Sequence, residues 1–226
     1  IAANGLRSVI RYDRRNRVAK TVSTDHDGGR TVEDVAYTFR GSPLQRHIVH
    51  TDAQGRSFTE DNVFTYDHEE RLLTQTHSLD GSDPVALVSN SYDPLGRLSA
   101  NIRGGDMQYA TQYRYNIRSW TTDISSCYFK ESLCYNIPRP GSGTTAQWGG
   151  NISSMTWDDG ASYDYAYDGL SRLRAASHSG SASLSREYTY DAHGNITQLT
   201  EGQTPHAYAY SGNHLSSAQY DTNGNT

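Results

Sequence analysis

Along the chain, apolar and polar residues alternate in short runs. In Tyr163-Asp164-Tyr165-Ala166-Tyr167, Tyr188-Thr189-Tyr190 and Tyr208-Ala209-Tyr210 an aromatic ring returns at every second position, the spacing at which side chains of a strand share one face. No window carries an apolar stripe at helical spacing over three turns. Clusters of Asp, Asn, Gly and Ser separate the runs, so the pattern predicts an all-β chain of strands joined by tight turns.

The turns repeat. Tyr12-Asp13-Arg14-Arg15-Asn16-Arg17-Val18, Tyr66-Asp67-His68-Glu69-Glu70-Arg71-Leu72, Tyr92-Asp93-Pro94-Leu95-Gly96-Arg97-Leu98, Tyr167-Asp168-Gly169-Leu170-Ser171-Arg172-Leu173 and Tyr190-Asp191-Ala192-His193-Gly194-Asn195-Ile196 are copies of one motif. Tyr220-Asp221-Thr222-Asn223-Gly224-Asn225 begins another, and weaker copies stand at Tyr115-Asn116-Ile117-Arg118-Ser119-Trp120 and Thr51-Asp52-Ala53-Gln54-Gly55-Arg56. Spacings of roughly twenty to thirty residues belong to repeat architectures.

Asp at the first position of a type I turn accepts a hydrogen bond from the backbone two residues on. Gly at the fourth position tolerates the left-handed conformation of a G1 bulge. Asp93 to Gly96 and Asp191 to Gly194 are therefore expected at hairpin tips, with Tyr92 opposite Leu98 and Tyr190 opposite Ile196. Where Asn16, Glu70, Ser119 or Ser171 replaces the Gly, a looser turn or another type is expected. Strand alternation puts Tyr and Leu of each motif on one face, and the Asp with its facing Arg or Asn on the other.

A single hairpin is barely stable in water. The expectation is one array over residues 1–226: hairpins paired side by side in a continuous, curved, mainly antiparallel sheet. Its open edges would invite capping or edge-to-edge self-association. The period lapses at about 121–150, where Pro138, Pro140, Gly141 and Gly143 mark a loop-rich excursion within the array, a boundary between two subdomains being the alternative. Ile1 opens in mid-pattern and Thr226 closes inside a turn motif, so the sequence reads as a segment of a longer protein.

Composition sharpens this picture. Mean hydropathy is −0.76 and hydrophobic residues make up 35%, yet there are 17 Tyr among 226 residues. Disordered chains are poor in aromatics, so here tyrosine carries much of the burial, its ring covered and its hydroxyl near water. The net charge of −5 and the absence of a basic block argue against a nucleic-acid partner. No apolar run reaches membrane-spanning length and no leader opens the chain.

Little catalytic chemistry stands out. Cys127 and Cys134 are too few for a zinc site; their spacing permits a disulfide without requiring one. His47 and His50, three apart, fall on opposite faces of a strand, and Asp25-His26-Asp27 borders a Gly28-Gly29 turn, so no metal is expected. Asp158 and Asp159 before Gly160 read as hairpin chemistry rather than as a glycosidase pair. No Gly-x-Ser-x-Gly elbow occurs, and the Asn151 and Asn195 sequons arise from the repeat's own Gly-Asn-Ile form. The chain is not expected to be an enzyme or to hold a cofactor.

The Tyr-Asp-x-x-Gly-Arg-Leu and Tyr-Asp-x-x-Gly-Asn-Ile segments resemble the YD repeats of Rhs-family proteins, over nearly the whole chain from Tyr12 to Asn225. Arg118-Ser119-Trp120, followed by Gly150-Asn151-Ile152 and Trp157, is similar to Rhs proteins of Bacteroidetes-type bacteria. In Rhs proteins, in the B and C components of insecticidal toxin complexes and in teneurins, such repeats wind into a hollow β-shell. In the bacterial members the shell encloses a C-terminal toxin released by self-cleavage at a core domain. The resemblance implies a secreted or cell-surface bacterial location, and as partners the rest of the same polypeptide: further repeats, core domain and toxin cargo. Asp93-Pro94-Leu95-Gly96 echoes the core's Asp-Pro-x-Gly but lies in an ordinary repeat, so no protease role is assigned. The alternative from the residues is an adhesin whose exposed Tyr and Trp rows bind cell-surface glycans or proteins.

Overall fold

The computed structural model describes residues 6–157 and 160–220. The chain forms two compact units, Ile1–Gln112 and Tyr113–Thr226. Among the described residues there are nineteen strands, two short 3-10 turns (Met107–Tyr109 and Ala182–Leu184) and no α-helix.

The first unit holds β1 (Arg7–Tyr12), β2 (Val18–Thr24), β3 (Arg30–Tyr37), β4 (Pro43–Thr51), β5 (Ser57–Tyr66), β6 (Leu72–Leu79), β7 (Val85–Tyr92) and β8 (Leu98–Arg103). The boundary falls inside β9 (Ala110–Tyr115). Each strand pairs antiparallel with the next in sequence. The second unit holds β10 (Thr121–Ser125), β11 (Lys130–Cys134), β12 (Ser154–Trp157), β13 (Ser162–Tyr167), β14 (Leu173–His178), β15 (Arg186–Tyr190), β16 (Ile196–Glu201) and β17 (Thr204–Ala207), again an antiparallel meander. A two-stranded hairpin, β18 (Tyr210–Ser211) with β19 (His214–Leu215), follows it. The all-β, antiparallel hairpin class expected from the alternation is the class observed. Pro138 lies inside the second unit, not at a boundary.

Each strand makes substantial contact only with its neighbours in the ladder, so each unit is one sheet thick. The buried residues among those described are Gly29, Ser78, Tyr135, Ser153, Ser154, Ser162 and Ala176; no Leu, Ile, Val or Phe belongs to the set. Strand side chains are mostly half-covered on both faces. Polar rows lie beside apolar ones: Lys20, Asp34, His47 and Asp61 stand in register across four strands, next to Val22, Val32 and Val49. The low aliphatic content of the sequence is thus matched by a fold that has no interior of its own.

Candidate functional site

In each unit the candidate site is the edge along which the Tyr-Asp turns emerge. At the best-formed copy, Asp93 donates its N–H to the Arg97 carbonyl and its own carbonyl accepts from Gly96, both at 2.9 Å. Its carboxylate Oδ1 accepts the amides of Leu95 and Arg97, each at 2.9 Å, while Oδ2 accepts from Arg97 Nε at 2.7 Å. The same five bonds recur at Asp13, Asp67 and Asp168. At Asp191 the Asn195 amide replaces the guanidinium. In all five hairpins a register shift stands immediately before the Tyr, which then pairs with Val18, Leu72, Leu98, Leu173 or Ile196. Gly96 and Gly194 have φ of 82° and 93°, as the turn chemistry requires.

The expectation of looser turns without Gly is corrected. Asn16, Glu70, Ser119 and Ser171 sit at φ of 61°, 66°, 62° and 63°, and their N–H to carbonyl bonds are 3.0, 3.1, 3.0 and 3.0 Å. The carboxylate or carboxamide at the first position fixes the backbone through two amides. A non-Gly residue is thereby held left-handed at a cost of about 1–2 kcal/mol.

Each hairpin is then fastened to the one before it. Between successive hairpins the backbone ladder stops short of the turns, leaving carbonyls unpaired. The last paired residues are Lys20/Asp34, Gln45/Val63, Thr74/Ser89, Asp123/Ser132, Ser154/Asp164 and Ala175/Glu187. In every case the residue three beyond the second member is a Tyr, and its hydroxyl donates to the carbonyl of the residue two before the first. The bonds are Tyr37 to Val18 (2.7 Å), Tyr66 to Pro43 (2.7 Å), Tyr92 to Leu72 (3.0 Å), Tyr135 to Thr121 (2.9 Å), Tyr167 to Ile152 (2.8 Å) and Tyr190 to Leu173 (2.7 Å). The phenol reaches across the opening and replaces the missing backbone donor.

The turn arginines reach forward as well. Arg17, Arg71 and Arg172 lie 4.6, 4.8 and 4.5 Å over the rings of Tyr37, Tyr92 and Tyr190. Arg17 and Arg172 also donate to the carbonyls of Thr38 and Asp191 in the next turn. The expected segregation, Tyr on one face and Asp–Arg pairs on the other, gives way at Arg17, Arg71 and Arg172 to guanidiniums that join their own Asp to the next hairpin's Tyr.

Electrostatics follow. The backbone amide of Arg17, Arg56 or Arg172 holds Asp13, Asp52 or Asp168 below the ordinary carboxylate value. At Asp67 and Asp93 partial burial pushes upward, and the bonds from Arg71 and Arg97 outweigh it. Asp191 is lowered chiefly by the Asn195 side chain. Burial raises the phenols of Tyr66, Tyr135, Tyr167 and Tyr190. Tyr165, whose hydroxyl meets the Met155 sulfur, is pushed up to about 12 by burial and then by Tyr167 and Tyr163.

Two members of the row escaped sequence reasoning. In Tyr37-Thr38-Phe39-Arg40-Gly41-Ser42-Pro43 the Thr38 hydroxyl takes the place of the carboxylate, accepting the amides of Gly41 and Ser42 at 3.1 Å each. The bulge before Tyr37 and its pairing with Pro43 are those of the other copies. The excursion proves to be one turn opened by an insertion. Cys134 pairs with Ser154, Gly150 has φ of 100°, and the Ile152 carbonyl receives the next Tyr, so residues 137–149 stand where other turns have two residues. By contrast, the weak copy at Asp52 has the full set of turn bonds but joins β4 to β5 at the opposite edge, with Thr51 in place of Tyr.

The remaining candidates come apart. Cys127 and Cys134 are free: Cys127 lies at the β10–β11 bend and Cys134 at the far end of β11, roughly 13 Å along at 3.3 Å per residue, beyond disulfide reach. His47 meets Asp61 at 2.8 Å, and His50 meets Thr31 at 3.1 Å on the other face. No group of three or more metal-ligating side chains occurs among the described residues, and no described helix is long and apolar enough to cross a membrane. Tyr220 stacks on His214, while Asp158, Asp159, Asp221 and Gly224 lie outside the described residues. No family model matches the chain, and no curated protein matches it.

Proposed function

We propose that this chain is a stretch of wall: a YD-repeat segment of a large secreted or surface Rhs-type bacterial protein, forming part of a β-shell that encloses a C-terminal cargo. The observation that carries this reading is the pairing of a strongly cross-linked turn row with a sheet that has no interior. A sheet one layer thick, half-covered on both faces, gains full burial only when something lies against it. The tyrosine row fastens successive hairpins at constant register, which suits extension by repetition. The resemblance of the Tyr-Asp motifs to Rhs repeats supports a C-terminal toxin as the enclosed body.

The complete polypeptide containing this segment provides the test. Under limited proteolysis its C-terminal region should resist cleavage while the native fold persists, and become labile when Asp93 and Asp168 are both replaced by Ala. Cleavage of that region at the same rate in native and substituted protein would reject enclosure. Saturable binding of the native protein to immobilised glycans, together with an unprotected C-terminus, would favour the adhesin reading.

A further inference from the structure

The opening between successive hairpins, bridged by each tyrosine, also leaves a recess, and the recess recurs. One of about 230 Å³ is lined by Ala19, Asp34 and Ala36, one of about 270 Å³ by Asp123, Ser132 and Cys134, and one of about 470 Å³ by Ala175, Glu187 and Thr189. In each, the floor is the last rung of the ladder. Where that rung carries a carboxylate, the carboxylate has a partner in all junctions but one. Asp34 meets Lys20 Nζ at 2.7 Å. Asp123 accepts from Ser132 and Thr122 at 3.0 and 2.9 Å. Asp164, opposite the fully buried Ser154, receives Arg139 Nη2 at 2.8 and 3.0 Å.

Arg139 belongs to the 137–149 insertion, whose Pro138-Arg139-Pro140 run is biased to an extended backbone, since a proline restricts the residue before it. The chain therefore carries its own example of a ligand for this position: an arginine at the head of a tight turn, its carbonyl accepting the Ser142 amide at 3.1 Å, lowered from an inserted loop onto the carboxylate of the last rung. The exception is Glu187. Its rung partner on β14 is Ala175, which offers no donor, and Glu187 forms no side-chain hydrogen bond or ion pair among the described residues. Its recess is the largest of the three and within the roughly 300–1,000 Å³ of small-ligand sites.

We infer that the recess between β14 and β15 is a receptor site for an arginine side chain carried on a loop of a partner protein, with Glu187 as the anchoring carboxylate. A planar guanidinium suits a carboxylate, to which it donates two parallel hydrogen bonds. Arg174 on the wall is likewise without an ion-pair partner, so a segment with an acidic residue beside its arginine would engage both charges.

The probe is a synthetic peptide with the sequence of residues 136–145, titrated at low salt into the isotopically labelled 226-residue chain and followed by NMR. Expected are shifts at Ala175, Glu187 and Thr189. Affinity should fall at least fivefold when the peptide arginine is replaced by Gln, and equally when the protein carries Glu187→Gln, with partial recovery in Glu187→Asp. Glu187 is exposed, and an unchanged spectrum elsewhere establishes that the variant is folded. Equal binding of the arginine and glutamine peptides, binding indifferent to Glu187→Gln, no binding, or shifts confined to the surroundings of Asp164 would each overturn the assignment.

Discussion

Replacing Tyr66 by Phe removes one hydroxyl and leaves the ring in place, so the change isolates the bond to the Pro43 carbonyl. That carbonyl lies where the β4–β5 ladder has ended, and no other side-chain donor reaches it among the described residues. Losing a net hydrogen bond costs about 0.5–1.5 kcal/mol, and an acceptor left unsatisfied raises the figure toward 1–3 kcal/mol when fully buried. Tyr66 is half-buried, so about 1–1.5 kcal/mol is expected. Tyr92→Phe is the internal control. The Leu72 carbonyl accepts both Tyr92 and the Asn90 carboxamide, each at 3.0 Å, and a carbonyl with two lone pairs keeps one partner. The cost there should be about 0.5 kcal/mol, rising to the Tyr66→Phe value when Asn90→Ala is added. Urea unfolding followed by far-UV circular dichroism reads the difference. Indole fluorescence would not, because Trp120, Trp148 and Trp157 all belong to the second unit. Equal costs for the two Phe variants, or none for Tyr66→Phe, would refute the idea that the hydroxyl substitutes for a backbone donor.

Three further outcomes follow from the turn. Asp93→Asn should cost only about 0.5 kcal/mol, because Asn116 already holds the equivalent turn through the amides of Arg118 and Trp120 at 2.9 and 3.1 Å; Asp93→Ala, which loses those contacts too, should cost about 1–2 kcal/mol in the same urea assay. Ser171→Gly should stabilise the second unit by about 1 kcal/mol, read by tryptophan fluorescence, since the residue is held at φ of 63° where Gly carries no Cβ penalty. In pH titrations of stability, the turn aspartates, lowered in the folded state, contribute fully above the ordinary value of 3.8 and lose that contribution as pH falls through their folded values. The raised tyrosines contribute fully below 10.0 and lose it as pH rises through theirs. Stability should therefore fall at both limits, and no loss at either would contradict the assignment.

Much of this was legible in the residues. Period-two alternation and Asp-x-x-Gly turns led directly to hairpins with Tyr92 opposite Leu98, because turn chemistry and register are local. The hydroxyl row was not read, although the sequence held a signal for it: the motif position is Tyr, never Phe, and only a hydroxyl in use explains that preference. Thr38 was missed because its hydroxyl does the work of a carboxylate in a segment lacking the Asp. The insertion at 137–149 hid a turn whose halves, Asn136 and Gly150, are distant in sequence. The empty slot at Glu187 depends on which residues share a rung, and no single-strand pattern reports that.

A cryo-EM map of the complete polypeptide shows whether these hairpins are wall. Residues 6–157 and 160–220 should appear as strands of a curved wall, one face toward an enclosed body of density and the turn tyrosines seated on the carbonyls of the preceding hairpins. A map in which both faces of this segment meet solvent, or in which the tyrosine hydroxyls point away from those carbonyls, would contradict it.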